Sequence, residues 1–194
     1  MNFTCTIETP LGKMLAAIRR NSAINGSIGT FLASNKNLAR CSAETEAALC
    51  GLWFIGQKHF PLASNEWEEK PDLPIFKKVK SWLEKYFSGK KNLPSLPLAP
   101  EGTDFQQIVW KLLLQIPYGE TSTYGGIAKI IAKKKEVKSM SAQAVGGAVG
   151  RNPISIIIPC HRVVASDGSL TGYAGGISKK KALLELEMSN IIKL

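Results

Sequence analysis

The sequence predicts an α+β fold in two domains, a small antiparallel sheet with a helix first and a helical domain of helix-turn-helix layout second. Three observations predict it. Residues 3–7 alternate apolar and polar side chains as a half-buried strand does. Prolines 94, 97 and 100 break the chain in its middle. From Thr103 onward apolar residues recur at helical rather than strand spacing. The expected boundaries are 1–91 for the first domain, 92–102 for a linker and 103–194 for the second.

In the first domain, Phe3-Thr4-Cys5-Thr6-Ile7, the turn at Pro10-Leu11-Gly12, Met14 to Ile18 and Leu52 to Ile55 read as strands. Residues 19 to 50 form a long insertion between strands, to which the sequence assigns no role. Ile75, Phe76, Val79, Trp82, Leu83, Tyr86 and Phe87 fall on one helical face, and Gly89 can end that helix.

The second domain opens with Thr103 as a helix cap and a stripe of Phe105, Ile108, Val109, Leu112, Leu113 and Ile116. Thr121-Ser122-Thr123-Tyr124 caps a second helix, which runs into the basic turn Lys133-Lys134-Lys135-Glu136-Val137-Lys138. Next, Ser141 to Gly150 is a helix of small residues that breaks at Asn152-Pro153. Helix, basic turn and small-residue helix make the layout of a helix-turn-helix, whose second helix can enter a DNA groove.

The chemistry concentrates in Ile156-Ile157-Ile158-Pro159-Cys160-His161-Arg162-Val163. A thiol reacts as thiolate, favoured by a helix amino end, a nearby cation or a base. Pro159 suits entry to a helical turn, and His161 and Arg162 offer a base and a cation. Adjacent residues on a helix do not face each other, so His161 is expected to act on Cys160 through a bridging water. A cysteine after an isoleucine run is otherwise inert core.

Pro159-Cys160-His161-Arg162-Val163, together with Ala144-Val145-Gly146-Gly147-Ala148, Asn152-Pro153, Gly168 to Gly176 and Leu183-Leu184-Glu185-Leu186-Glu187, resembles the O6-alkylguanine-DNA alkyltransferases, also called methylated-DNA–protein-cysteine methyltransferases. The resemblance runs from about Thr103 almost to the C-terminus. It is less even in the first half, through Thr9 to Met14 and Gly51 to Lys58. It implies a ribonuclease H-like first domain and a winged-helix second domain.

It also implies DNA repair by irreversible, single-turnover transfer of an alkyl group from O6-alkylguanine, with O4-alkylthymine a further candidate substrate, to Cys160. By the same resemblance His161 is the water-mediated base, Glu187 orients its imidazole, Asn152 braces the turn before the cysteine, and Tyr124 hydrogen-bonds the guanine ring as it leaves. The carbonyls of Cys160 and Val163 would accept from the guanine amino group, the backbone N–H near Ala174 would donate to O6, Tyr173 would form a wall, and Gly172, Gly175 and Gly176 would let the loop approach the base. The lesion is expected to be flipped out of the duplex. Where many relatives carry an arginine to fill the gap, this chain has Gln143. Ala144, Gly147 and Ala148 are small enough for a minor-groove helix, and Arg151, Lys129 and Lys134 are candidate phosphate contacts.

A formal net charge of +10 over 194 residues fits an anionic partner. The partner expected is double-stranded DNA bearing alkylated guanine, bound by a monomer with no obligate protein partner. No apolar run approaches the roughly 20 residues of a membrane helix, and the amino end lacks a signal-peptide pattern, so a cytoplasmic protein is expected. No cofactor and no metal are expected; a metal site built from Cys5, Cys41, Cys50 and His59 is conceivable, but their spacing is irregular. Three other classes weigh less. A lesion sensor of alkyltransferase-like type would lack the cysteine, a winged-helix regulator would need no Cys-His pair, and a thiol hydrolase or peroxidase would not account for the DNA-binding segment.

Overall fold

The computed structural model describes residues 2–20, 47–61, 67–90 and 96–192. Most of the long insertion, including Cys41, and the start of the proline-rich segment lie outside the described residues. The chain divides into two compact units, Met1–Glu101 and Gly102–Leu194.

In the first unit β1 (Asn2–Ile7), β2 (Met14–Arg20) and β3 (Ala47–Phe54) form an antiparallel meander. The β1–β2 turn is closed by Thr9, whose carbonyl accepts from Gly12 N–H at 3.0 Å and whose hydroxyl takes Leu11 N–H at 3.3 Å. Gly12 sits at φ 111°, a conformation that favours glycine. A fourth strand, β4 (Trp67–Glu69), pairs parallel with β1 and gives the order β3-β2-β1-β4. Three residues are too short to register as a periodic pattern, so sequence alone does not find it. β3 begins at Ala47, five residues earlier than Leu52, and β2 continues through Arg20. The insertion between strands is shortened to that extent. Ala47-Ala48-Leu49 lacks alternation because Ala48 and its neighbour Leu49 are both buried.

Helix α1 (Pro74–Phe87) starts with proline, which suits a position whose N–H has no helical partner, and buries Ile75, Phe76, Val79, Trp82, Leu83 and Tyr86. Its end is the expected one, with Gly89 at φ 81° donating to Tyr86 O. The proline-rich segment is more ordered than a linker where it is described. Pro97 O accepts from Leu49 N–H and Ala99 N–H donates to Leu49 O, both at 2.8 Å, with Leu96 and Leu98 buried. Proline lacks only a donor, so an edge that uses its carbonyl tolerates it.

In the second unit α2 (Asp104–Leu113) is entered through a capping box between Thr103 and Gln106. Helices α3 (Tyr124–Lys134) and α4 (Ala142–Gly150) are capped by the Thr123 and Ser141 hydroxyls. Trp110, outside the expected α2 stripe, is 1% exposed, and its indole N–H donates to Ala148 O at 2.9 Å, binding α2 to α4. A parallel two-residue ladder joins β5 (Ser122–Thr123) to β6 (Val163–Val164). It sets the first residue of α3, Tyr124, near the 3₁₀ turn Cys160–Arg162 that precedes β6. Helix α5 (Ile177–Ile192) closes the unit and touches that turn.

Candidate active site around Cys160

The isoleucine run is a buried coil rather than a strand. Ile158 N–H donates to Ile154 O, and Ile156 is held at φ 69°, a left-handed conformation that costs a β-branched residue about 1–3 kcal/mol. The fold supports that cost through Asn152, which is 4% exposed. Its Nδ2 donates to Ile158 O at 2.8 Å, to Cys160 Sγ at 3.0 Å and to Ile154 O at 3.2 Å, while Oδ1 accepts from Ile154 N–H. One amide thus fixes the coil and the sulfur together.

Cys160 is 5% exposed. Burial pushes its thiol up to about 11, against the Asn152 hydrogen bond and the Lys180 charge, which both pull it down. The resting group is therefore a thiol, and ionising it at neutral pH costs about 5 kcal/mol. The structure also corrects the expectation that Arg162 offers the sulfur a cation. The Arg162 guanidinium turns away to Glu187, with Nε on Oε2 at 2.8 Å and Nη2 on Oε1 at 2.9 Å, and its Nη1 donates to Ile116 O at 2.6 Å.

His161 Nε2 lies 2.8 Å from Glu187 Oε1, with both side chains 0% exposed. Gly119 N–H adds a further donor to Oε2 at 3.0 Å. Burial alone would raise the Glu187 carboxyl, but the hydrogen bonds of His161 and Arg162 and the guanidinium charge outweigh it and hold it down at about 2. A carboxylate only accepts, so the neutral imidazole carries its proton on Nε2 and leaves Nδ1 as the basic nitrogen. Burial lowers the His161 pKa, with Glu187 opposing, which keeps the ring neutral at rest.

Tyr124 donates its hydroxyl to Thr171 O at 2.9 Å, and burial raises its pKa. Gly172 sits at φ 67°, where an added Cβ would come within 3.0 Å of that hydroxyl. A side chain there would crowd Tyr124. Tyr173 is 8% exposed, and Ala174 and Gly175 are half-buried in the same loop.

Two family models match the chain: the 6-O-methylguanine DNA methyltransferase ribonuclease-like domain over residues 43–100, and the DNA binding domain of the same family over residues 104–189. The methylated-DNA–protein-cysteine methyltransferase of Methanosarcina mazei is 47% identical over 149 residues, covering 77% of this chain and 90% of that protein. The chain belongs to the methylated-DNA–protein-cysteine methyltransferase family. A relative of the same name in Haemophilus influenzae is 50% identical over 63% of the chain and 66% of its own length. The crystal structure of Mycobacterium tuberculosis O6-methylguanine methyltransferase superposes with a TM-score of 0.72 at 38% identity, covering 98% of this chain and 94% of that one. A complex of the Mycobacterium tuberculosis protein with DNA gives 0.70 at 38% identity, covering 97% and 94%.

In this methyltransferase Asn152 is bonded to Cys160 Sγ and Glu187 to His161, two pairs joined through the Cys160–His161 peptide, while Tyr124 is bonded to Thr171 O. Val163 is fully buried, and its carbonyl already accepts from Lys180 Nζ at 2.5 Å. Gln143, Ala144 and Arg151 are exposed on α4 and its end, and Lys129 and Lys134 on α3. Gly147 is half-buried, its carbonyl 3.5 Å from Arg151 Nη1. Ala148 is a correction to the expected DNA-facing set. It is 4% exposed, on the α4 face whose carbonyl Trp110 holds.

Sequence reasoning missed two residues, Arg162 as the clamp on Glu187 and Lys180. Lys180 was hidden in the triplet Lys179-Lys180-Lys181, which reads as solvated helix surface. The available signal was spacing. Lys180, Leu183, Leu184 and Glu187 fall at i, i+3, i+4 and i+7, so a charge stands at each end of a buried stripe.

Proposed function

We propose that this protein repairs DNA by moving the alkyl group of O6-alkylguanine onto Cys160, once per molecule. The observation that supports it best is the buried His161–Glu187 pair beside a buried thiol. Neither acid nor base is charged at rest, and both become charged when a proton moves from sulfur, through a water, to Nδ1. Glu187 stabilises the imidazolium that results.

The thiolate then attacks the alkyl carbon in line with the C–O6 bond. The S–C bond forms, the C–O6 bond breaks, and its electron pair passes into the guanine ring. Tyr124 gives the ring a proton and is reprotonated by way of His161. The balance is a thioether on Cys160 and an unmodified guanine that has gained the thiol proton. Water does not cleave a thioether, so no step regenerates the enzyme. Guanine is selected by the Cys160 and Val163 carbonyls and the N–H near Ala174, with Tyr173 and Gly175 shaping the wall.

The relative crystallised with DNA and the basic surface support binding to duplex DNA. Helix α4 enters the minor groove with Gln143, Ala144 and Gly147, while Arg151, Lys129 and Lys134 meet phosphates, so affinity falls with salt. Among the described residues no helix is long and apolar enough to cross a membrane. The protein works as a monomer in the cytoplasm, without cofactor or metal.

Intact mass after incubation with duplex O6-methylguanine DNA tests the reading. One added methyl on Cys160, absent from Cys160→Ala, is expected. Unmodified wild-type protein bound tightly to the lesion would replace the transferase with a sensor.

A further inference from the structure

Lys180 is 0% exposed, yet its ammonium makes no ion pair with a carboxylate among the described residues. Its Nζ donates instead to two carbonyls, Val163 O at 2.5 Å and Thr171 O at 2.6 Å, and lies 5.9 Å from the Tyr124 ring centroid. A buried cation without a counter-ion is expensive, and methionine would fill the same volume without that cost. The neighbouring Lys181 is largely exposed and pairs with Glu185 at 3.7 Å, which is the ordinary behaviour of a helical lysine.

The two carbonyls belong to the two sides of the site. Val163 follows the Cys160–Arg162 turn, and Thr171 belongs to the loop that also receives the Tyr124 hydroxyl. One nitrogen therefore fixes where the nucleophile's turn ends and where Tyr124 points. Helix α5 carries Glu187 two turns further on, about 10 Å along its axis. The helix thus holds a cation bonded to both sides of the site and an anion bonded to His161.

We propose that Lys180 is a positioning residue for alkyl transfer, tying the turn after the nucleophile to the loop that aims Tyr124. The inference rests on the transferase reading above. Groups held in place before the reaction need no reorganisation during it, which is how such residues lower a barrier.

The test measures single-turnover methyl transfer and DNA affinity for wild type, Lys180→Met, Lys180→Arg and Lys181→Met, with thermal unfolding alongside. Lys180→Met is expected to slow transfer by about 10- to 100-fold, the size of losing one hydrogen-bonded charge, with DNA affinity unchanged. Lys181→Met should match wild type, and Lys180→Arg should recover part of the rate. Wild-type transfer in folded Lys180→Met would overturn the proposal. Should that variant not fold, Lys180→Arg decides: a partial rate supports the tie, and a folded protein with no transfer overturns it. Failure of wild type to take the methyl group would instead sink the transferase reading itself.

Discussion

Glu187 holds His161 by a 2.8 Å hydrogen bond while taking two more from Arg162, so one carboxylate serves as hub for an imidazole and a guanidinium with no exposure to water. Whatever removes its charge loosens all three groups at once.

Acid should therefore weaken the second unit in two stages. A buried neutral histidine with a lowered pKa contributes stability that is lost as pH falls below its ordinary 6.5. Glu187, held at about 2 against an ordinary 4.5, contributes about 3 kcal/mol above pH 4.5 that drains away as pH falls towards 2. Urea unfolding of wild type and Glu187→Gln between pH 7 and pH 3 checks this. Glu187→Gln should be less stable at pH 7, and the gap should narrow with acid. A constant gap would show that Glu187 is not the titrating group.

Asn152→Ala should cost about 2–3 kcal/mol, because the Ile154 and Ile158 carbonyls would lose a buried donor. It should also slow methyl transfer, since the sulfur loses the hydrogen bond that lowers its pKa. Chemical unfolding and single-turnover rates report the two effects separately. Unchanged stability would mean that the Ile156 conformation is supported elsewhere.

Tyr124→Phe removes one half-buried hydroxyl, so stability should change by no more than about 1 kcal/mol. Transfer should nevertheless fall by about tenfold or more, as expected for loss of a proton donor in the rate-determining step. An undiminished rate with methylated duplex would leave the Tyr124 hydroxyl as a tether for Thr171 alone.

Gln143→Ala should slow repair of duplex DNA and spare repair of a single-stranded oligonucleotide, where no stack has to be refilled. Equal rates for mutant and wild type on duplex would remove Gln143 from base flipping. Lys134→Ala should lower affinity on any sequence and reduce the salt slope by about one ion.

Helix spacing made α1, α2 and the helix-turn-helix legible, because each buries a stripe whose period survives in the sequence. β4 and the early start of β3 were not legible: three residues carry no period, and Ala47-Ala48-Leu49 buries adjacent residues. In the site, Cys160 and His161 stood out by their adjacency, and the other motif residues were named through the family resemblance. Arg162 was assigned to the wrong charge because its adjacency to Cys160 says nothing about direction, and the fold turns it to Glu187. Lys180 escaped notice because a lysine triplet looks like surface, and only the packing of α5 shows which of the three is inside. Ala148 was misjudged because small size permits a close approach to DNA without saying which face the residue occupies, and here that face is buried, with its carbonyl held by Trp110.

Helix α5 supplies both Lys180 and Glu187, more than a dozen residues after the thiol. The nucleophile and the charged groups beside it thus come from separate stretches of chain and meet only by packing, so a change that loosens α5 would disarm Cys160 without altering the thiol itself.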